Sequence, residues 1–542
     1  MRHKALSAIA VLALVSCGQV MDLTPPEKGD VTFDGMQVSL FETGTFEYYL
    51  DNPEYQYTIL VGRSHVEKDA AVSFSVREVA EGEYIPLPEE NWELSSETVE
   101  FSGSETVKEV LLSFSNLTSL DAGRKYMLGL DLVSDNFNVD GDRKSLTFLI
   151  YQEAGGSDNP IIITTPEQLL AVESRLKAGK TTYFQLGADI DMKGRAWTPI
   201  NTTQQKIVDF DGCGHTISNL TLDNPVNGDL GFFSFLRGRV ANVNFDNVTI
   251  TGGDVRMGVV AGRAGEADYP AVIERVNVNG NIKMSITTGT NNHPAGICCI
   301  MQGMKSQIRQ CSSEVDIVSD WSGAGICGDL EVGANITQCR YSGNITASSR
   351  AGGIVCLMRY ASVDNCYAEG RLETWHETIG AGPNGGIVGF ILPNGNDPSI
   401  IDYCCATTYN NTKNQVGGIL GYVEPATKGT AISNCVAWNS YLGSTNAPRS
   451  GKVSGFFKLA TGVNCWTNPE MAYKFATTWD STVPTKLLVD DNDFTTAVTK
   501  DRYNGKTATG TLIETARDKA GFDPEIWDFS GDKPVLKWEL EQ

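Results

Sequence analysis

The sequence predicts an all-β protein, with an N-terminal immunoglobulin-like β-sandwich followed by a right-handed parallel β-helix and a short capping helix. Three observations support this fold class. Glycine is abundant, at 55 of 542 residues, and only 20% of residues are charged, which suits a turn-rich β protein. About seven short β-type runs lie between residues 31 and 153. From about residue 240, a unit of about 30 residues repeats, with two β-type runs per unit and no helix.

The first residues are typical of a secretory signal that ends in a lipobox. Arg2 and Lys4 precede an apolar stretch from Ala5 to Leu14, and Leu14-Val15-Ser16-Cys17 closes it. An apolar stretch of about ten residues is too short to span a bilayer, which needs about 20. We therefore expect residues 1–16 to be removed and Cys17 to be acylated, which anchors the chain to a membrane. A plain signal peptide with a chance cysteine is the alternative.

The segment after Cys17 predicts where the protein is displayed. It resembles bacterial lipoproteins, and Gly18 in place of aspartate implies passage to the outer membrane, from where we expect the protein to face the cell exterior. Residues 17–30 form a tether, because they carry two prolines and alternating charge. Without Arg2 and Lys4 the chain has 41 basic and 66 acidic residues, a formal charge of −25. A chain this acidic repels nucleic acid and anionic lipid surfaces.

Residues 31–153 carry the β-type runs of the predicted sandwich. The order ILVGRS (59–64), YIPLPEENWELSSETVEFSGSE (84–105) and SNLTSLDAGRKYMLGLDLVS (115–134) is similar to an N-terminal β-sandwich of unknown function on Bacteroidetes surface lipoproteins, often those linked to glycan use. The resemblance covers the whole segment. It implies a spacer or a presenting module.

A linker over residues 154–160 and a capping helix follow the sandwich. Thr165 is a helix N-cap, Pro166 occupies the first helical position and Gln168 the third, so the helix should run through Lys177. The helix would cover the open end of the stacked strands. We assign residues 161–470 to the β-helix with this cap, and residues 471–542 to further coils and a C-terminal cap.

The repeat predicts a stacked solenoid. If each unit is one coil, coils rise by about 4.8 Å and equivalent residues lie above one another in ladders. The fourth position of the first strand in each unit holds a small apolar residue, as a buried ladder requires. That series is Val243, Val276, Cys311, Cys339, Cys366, Cys404, Cys435 and Cys465.

The second run of each unit resembles the GLUG motif. Gly385-Gly386-Ile387-Val388-Gly389 and Gly417-Gly418-Ile419-Leu420-Gly421 carry the resemblance most fully. It implies a pectin-lyase-like β-helix of the kind found in extracellular, often adhesive, proteins. The motif itself contributes no catalytic residues.

The cysteines and histidines predict no metal site and no cofactor. After Cys17, twelve cysteines remain, and we expect them to be reduced and buried rather than joined in a disulfide framework. The close pairs, Cys298-Cys299 and Cys404-Cys405, are adjacent, which does not match zinc-ligand spacing. Some GLUG proteins are zinc peptidases, but here His376-Glu377 lacks the second histidine of that motif.

Catalysis is the alternative to binding, because this fold often hosts polysaccharide lyases and glycosidases. Such an enzyme needs paired carboxylates or a calcium site with a basic partner. Asp209 with Asp211 and Asp329 with Glu331 share a strand face, but neither pair has an evident Lys or Arg neighbour in the sequence. A passive, fimbria-like structural component is a further alternative.

Loops between the two runs of each coil carry the predicted binding residues. Stacking should align these loops along one edge, where aromatic faces beside amides and charges suit sugar rings. The candidate residues are His293, Asp320, Trp321, Arg350, Trp375 and His376. The sequence therefore predicts a non-catalytic surface protein that binds a glycan, or a ligand on a host or neighbouring cell. Alternatively, Trp321 and Trp375 only cover the flank of the solenoid. The sequence does not predict an oligomeric state.

Overall fold

The computed structural model describes residues 37–541 except 51, 65–68, 81, 122–123, 136, 204, 225–227, 286–291, 375–381, 393–396, 425–428 and 476–488. The chain forms two compact units, Met1–Glu153 and Ala154–Gln542. The signal, Cys17 and the tether lie outside the described residues, so lipidation stays a prediction. Within the described residues, no helix combines the length and the apolar character that crossing a bilayer requires.

The first unit is a β-sandwich, as predicted. One sheet contains, in spatial order, Asn138–Val139, Gln37–Leu40, Tyr55–Arg63, Val107–Phe114 and Trp92–Leu94. The other contains Gly44–Tyr49, Ser145–Tyr151, Lys125–Val133, Ala70–Arg77 and Thr98–Phe101, with Tyr84–Pro86 beside Lys125–Val133. Short 3-10 turns lie at Glu89–Asn91 and Leu117–Ser119. Alternate residues of each strand, such as Leu146, Phe148 and Ile150, are fully buried in one core.

The second unit is a parallel β-helix, which confirms the predicted fold class. Its strands stack in five columns, which we number in chain order within a coil. Column 1 contains Ile200–Asn201, Phe233–Leu236, Ala261–Ala264, Cys298–Gln302, Cys327–Glu331, Val355–Arg359, Val388–Ile391 and Leu420–Val423. Column 2 contains Ile161–Ile163, Thr181–Leu186, Ile207–Asp211, Gln307–Arg309, Asn335–Thr337, Ser362–Asp364, Ile400–Asp402 and Thr430–Ser433.

Columns 3, 4 and 5 complete each coil. Column 3 contains Ile190–Asp191, Thr216–Ser218, Arg340–Tyr341, Tyr367–Ala368, Cys405–Ala406, Val436–Ala437, Trp466–Thr467 and Lys506–Thr507. Column 4 contains Thr221–Asn224, Asn344–Ala347, Arg371–Thr374, Tyr409–Thr412, Tyr441–Ser444 and Ala472–Phe475. Column 5 contains Gly323–Ala324, Ala351–Gly352, Asn384–Gly385 and Val416–Gly417.

Four strands span more than one column. Gly238–Gly252 and Ala271–Met284 run through columns 2 to 4, Ser312–Ser319 through columns 3 and 4, and Ser454–Val463 through columns 1 and 2. Phe494–Lys500 pairs antiparallel with Ser454–Val463, unlike the parallel strands of the coils. A 3-10 turn lies at Ala447–Arg449.

The predicted ladder is confirmed. Val243 pairs with Val276 on the next coil, and every member of the series is fully buried. The residue before each member has a positive φ, from 47° to 54°, which turns the chain between columns 2 and 3. Asparagine adopts this left-handed conformation more readily than other residues with a Cβ, and it occupies the position at Asn242, Asn365, Asn434 and Asn464.

All twelve cysteines that the structure describes are free thiols, and only Cys213 is exposed. The ladder thiols donate to carbonyls of their own or the preceding coil, as Cys404 Sγ does to the Asp402 carbonyl at 3.1 Å. Burial raises the pKa of the Cys404 and Cys435 thiols well above the ordinary value.

We therefore predict that one thiol, Cys213, reacts with an aromatic disulfide reagent in the native protein, and that twelve react after unfolding in guanidinium. Partial burial and Asp211 raise the pKa of Cys213, so its rate should increase with pH. Absorbance titration of a chain whose Cys17 is acylated or replaced measures both counts. A second fast thiol in the native state would contradict the buried ladder.

The N-terminal cap begins as predicted and ends earlier. Helix Pro166–Leu170 starts with a capping box, in which Thr165 accepts from the Gln168 backbone N–H and the Gln168 side chain accepts from the Thr165 N–H. A second short helix, Val172–Arg175, follows, so the helical segment stops two residues before Lys177. Leu169 and Val172 are buried against the first coils.

The last residues do not continue the coils. After Lys506–Thr507, a helical segment over Leu512–Glu514 and Thr515–Ala520 leads into a hairpin of Trp527–Asp528 with Val535–Leu536 and a 3-10 turn at Lys537–Leu540. Residues 508–541, which we name the C-terminal clasp, fold back along the outer face of column 3 toward earlier coils. The segment predicted as C-terminal coils and cap, residues 471–542, thus contains solenoid strands up to Thr507 and the clasp after it.

Candidate ligand-binding site

The loops between columns 4 and 5 do stack along one edge. The Ser349 N–H donates to the Trp321 carbonyl at 2.5 Å, and the Gly382 N–H donates to the Ser349 carbonyl at 2.9 Å. The Thr412 hydroxyl then donates to the Gly382 carbonyl at 3.1 Å. Backbone and side-chain hydrogen bonds thus hold successive loops in register. The predicted Trp375 and His376 lie outside the described residues.

The other predicted binding residues lie at different depths. Trp321 is half-buried and packs against the core, and its indole N–H is buried without a partner among the described residues. The Arg350 guanidinium lies over the outward Phe390 ring, 5.1 Å from its centroid. Asp320 is exposed. Whether these three side chains bind a ligand stays a prediction.

His293 is buried rather than presented on the loop surface. Its side chain is 2% exposed, and its Nδ1 lies 2.5 Å from an Asp329 carboxylate oxygen. Its carbonyl accepts from the Cys299 thiol. His293 therefore packs against Asp329 and Cys299 of column 1, and in this structure its side chain is too buried to contact a ligand on the surface.

The acidic pairs have basic neighbours that the sequence pattern did not show. Arg239 on the next coil contacts Asp209 at 2.9 Å and Asp211 at 3.4 Å. Arg359 pairs with Glu331 at 3.2 Å, and burial raises the Glu331 pKa even so. The expectation that neither pair has a basic neighbour is wrong, because stacking places residues of adjacent coils side by side.

The outward ladder of column 3 changes character along the solenoid. From Asn244 to Trp466 each member directly follows a residue of the buried ladder, so its side chain points outward. Thr216 and Lys506 extend the register by one coil at either end. The register gives the series Thr216, Asn244, Asn277, Ser312, Arg340, Tyr367, Cys405, Val436, Trp466 and Lys506. The early coils are polar and the later ones mostly apolar. Sequence reasoning missed this change, although the alternation within each repeat signals it.

The C-terminal clasp covers the apolar part of this ladder. Tyr367, Cys405 and Val436 form one buried cluster with clasp residues that include Trp527 and Trp538. The Trp527 indole N–H donates to the Asn365 side chain at 3.1 Å. The clasp also reaches the polar part of the ladder, where Glu539 pairs with Arg340 at 3.5 Å. Asn244 and Asn277, further along the polar part, are half-buried.

A groove of about 260 Å³ forms at the end of the clasp. It is lined by Gly214, Asn242, Asn244, Arg275, Asn277, Trp538 and Glu541. One wall is thus the polar face of the early coils, and the other is the last turn of the clasp. No sequence pattern brings these two walls together, because they lie more than 250 residues apart in the chain.

Hydrogen bonds hold the groove walls in place. The Asn277 amide donates to the Asn244 Oδ1 at 2.9 Å, and Asn244 donates to the Gly214 carbonyl at 3.1 Å. The Trp538 indole N–H donates to the Gln338 carbonyl at 2.9 Å. The groove therefore presents ordered amides, the exposed Arg275 and the Glu541 carboxylate beside an indole ring.

This arrangement can recognise hydroxyl-rich ligands. A primary amide has two N–H donors and a carbonyl with two lone pairs, so Asn244 retains capacity beyond its bonds in the groove. A sugar hydroxyl both donates and accepts hydrogen bonds. It can therefore accept from the Arg275 guanidinium or donate to the Glu541 carboxylate. Within the described residues, no group of three or more His, Cys, Asp or Glu side chains is arranged to hold a metal ion.

Comparison with known proteins gives limited matches. No protein-family profile matches the chain. Over 166 residues, 27% of this chain, it is 31% identical to halomucin of Haloquadratum walsbyi, and the matched part is 2% of the length of halomucin.

Solved structures that match parts of the chain include proteins from Bacteroides ovatus. One, provisionally named an immunoglobulin A1 protease, covers 71% of this chain and 94% of its own, at 23% identity and a TM-score of 0.39. Another, from strain ATCC 8483 and provisionally named a carbohydrate-binding protein, covers 22% of this chain and 38% of its own, at 19% identity and a TM-score of 0.20. An IgA1 protease covers 67% of this chain and 28% of its own, at 12% identity and a TM-score of 0.37. These sequence identities and TM-scores are too low to infer a ligand or an activity for this chain.

Proposed function

We propose that this chain is a non-catalytic lipoprotein, anchored through Cys17 at the outer membrane and facing the cell exterior, that binds a glycan in the groove at the end of the clasp. The observation that carries the proposal is the meeting of an ordered amide ladder, a guanidinium group and an indole ring in one groove of about 260 Å³. The lipobox and the resemblance to GLUG proteins and to Bacteroidetes surface lipoproteins support display at the cell surface.

The residues that line the groove are better suited to binding a glycan than to hydrolysing it. Its single carboxylate, Glu541, has no second acid among the lining residues, whereas glycoside hydrolysis ordinarily needs two. The neighbouring amides Asn244 and Asn277 can bind hydroxyls but are not acids or bases. Neutral glycans fit this proposal best, because the chain as a whole carries a large negative charge.

The proposal predicts a loss of retention when the groove donors are removed. Affinity electrophoresis through gels containing neutral polysaccharides should show retention of the wild type, and the double variant Asn244→Ala, Arg275→Ala should bind at least tenfold more weakly. Two hydrogen bonds worth about 1 kcal/mol each account for a change of that size. The matched control is Asn281→Ala, Arg309→Ala, which removes the same residue types from exposed positions that do not line the groove.

Other outcomes would overturn parts of the proposal. Equal retention of the groove variant and the wild type would remove the groove as the binding site. New reducing or unsaturated ends in the same incubations would replace binding with catalysis.

The loop edge is a second surface for the same function. We propose that the predicted edge residues Asp320, Trp321, Trp375 and His376 extend the glycan contact. The hydrogen bonds described above hold the described loops of this edge in register. Loss of retention in a Trp321→Ala, Trp375→Ala variant, with the groove variant unaffected, would move the site to this edge.

A further inference from the structure

A second pocket, of about 390 Å³, lies on the outer side of column 1 in the early coils. Its lining includes Asn201, Asp229, Ser234, Phe235 and Arg263. Phe235 and Arg263 are neighbours in the outward ladder of column 1, since they pair across adjacent coils. The pocket is distinct from the groove, with which it shares no lining residue.

One arginine, Arg263, lines this pocket, and two more, Arg237 and Arg256, contact its lining residues Phe235 and Asp229. Arg256 and Arg263 share one carboxylate, Asp229, at 3.0 Å and 2.5 Å. Arg237 pairs with Glu266 at 2.5 Å. The cluster has three guanidinium groups and two carboxylates, so it is locally positive in a chain whose formal charge is −23.

The cluster has more hydrogen-bond donors than acceptors. A guanidinium group has five N–H donors and no acceptor. The Nε atoms of Arg237 and Arg256 are buried and have no partner among the described residues. The Arg263 Nε–H donates to Asp229, and the Arg263 side chain is 39% exposed. Of the three arginines only Arg263 lines the pocket, so its guanidinium supplies the donors that an acceptor-rich ligand would meet there.

The ring of Phe235 holds two of these arginines in place. The guanidinium carbons of Arg237 and Arg263 lie 5.0 Å and 4.8 Å from its centroid, within the range of cation–π attraction. Gly262 permits the approach of Asp229, because a Cβ at that position would lie 2.6 Å from the Asp229 Cβ. The donors are therefore fixed before a ligand arrives.

We propose that this pocket binds a sugar that carries a carboxylate. The Arg263 guanidinium would bind the carboxylate, with Arg237 and Arg256 beside the pocket adding positive charge, and Asn201 and Ser234 would bind ring hydroxyls. The volume lies near the lower end of the range for small-molecule sites and fits one saccharide unit. The proposal does not depend on the groove, and it adds an acidic-sugar specificity that the overall charge of the chain would otherwise oppose.

Calorimetric titration of the full chain with four probes tests the chemistry. Glucuronate and N-acetylneuraminate should bind at least tenfold more tightly than methyl glucoside, which lacks the charge, and than acetate, which lacks the ring. Binding should weaken as salt increases. A hexuronate tetramer distinguishes recognition of a chain from recognition of the single sugar, since only a longer site would favour it. Equal binding of methyl glucoside, or no binding of either acidic sugar, would overturn the proposal.

Two variants assign the binding to this pocket. Arg263→Gln should raise the Kd for the acidic sugars at least tenfold, and Phe235→Leu, which keeps an apolar side chain but removes the ring, should raise it several-fold. The matched control is Arg309→Gln, since Arg309 is also a half-exposed arginine paired with one carboxylate, Glu274. If Arg309→Gln weakens binding as much as Arg263→Gln, the effect is one of general charge and the pocket is not the site. Unchanged binding in both Arg263→Gln and Phe235→Leu would overturn it as well.

Discussion

Replacing Gly385 by alanine should destabilise the β-helix by about 1–3 kcal/mol, the size expected when an added atom cannot be accommodated by side-chain movement. A Cβ at Gly385 would lie 1.9 Å from the Val388 carbonyl oxygen and 2.7 Å from the Gly421 backbone nitrogen. Both contacts are with backbone, so the coils themselves would have to move apart. Urea unfolding followed by circular dichroism measures the loss as a lower midpoint.

Gly531→Ala is the matched control in the same unit. Its added Cβ would meet only the Lys533 carbonyl oxygen, at 3.8 Å, and the residue is exposed, so its effect should stay within about 0.5 kcal/mol. If both alanine variants unfold at the wild-type midpoint, the close approach of successive coils at column 5 is wrong.

The glycine positions also explain why the solenoid could be predicted from the sequence. Gly352, Gly385 and Gly417 occupy the same place on successive coils. A Cβ added to any of them would lie 2.0 Å or less from a carbonyl oxygen of the same coil. Gly258 and Gly451 hold the same place on further coils, and Ala295 and Ala324 hold it on the two coils between Gly258 and Gly352. A constraint that repeats on every coil therefore leaves only the smallest residues at each period. The buried ladder from Val243 to Cys465 is visible for the same reason.

The clasp could not be predicted in this way, because it forms once and its contacts do not repeat. Trp527 reaches Asn365 across 162 residues, and Trp538 reaches Gln338 across 200. No local pattern specifies such pairs. The sequence does contain their counterpart, the apolar outward residues Cys405, Val436 and Trp466, which require a cover once the register is known.

The candidate site was predicted in part for a similar reason. Stacking of the loops follows from the period alone, but the depth of each side chain depends on tertiary packing. His293 lies next to a loop tip in the sequence and is nevertheless buried, because Asp329 of the next coil pairs with it. The groove needs both the ladder register and the path of the clasp, and only the first can be read from the repeat.

Replacing Trp527 by alanine should release the clasp and cost about 3–5 kcal/mol, the usual loss for a buried aromatic side chain. Trp527 is 1% exposed, its ring centroid lies 5.0 Å from that of Phe522, and its indole N–H donates to the Asn365 side chain. Release would expose Cys405, whose thiol pKa is raised by burial under the clasp, and it should then react with iodoacetamide. It would also remove one wall of the groove, so glycan retention should fall with the same variant.

Cys404 is an internal control for that experiment, because it neighbours Cys405 in the chain but points into the core ladder rather than toward the clasp. Fragment-ion mass spectrometry after brief alkylation of the Trp527→Ala variant should find label on Cys405 and none on Cys404. Equal labelling of both thiols would mean that the whole coil has unfolded. Labelling of neither, with retention unchanged, would show that the clasp does not depend on Trp527. Selective labelling of Cys405 together with lost retention would link the fold-back of the C-terminus to the binding groove, since Trp538 and Glu541 enter the groove only through the clasp.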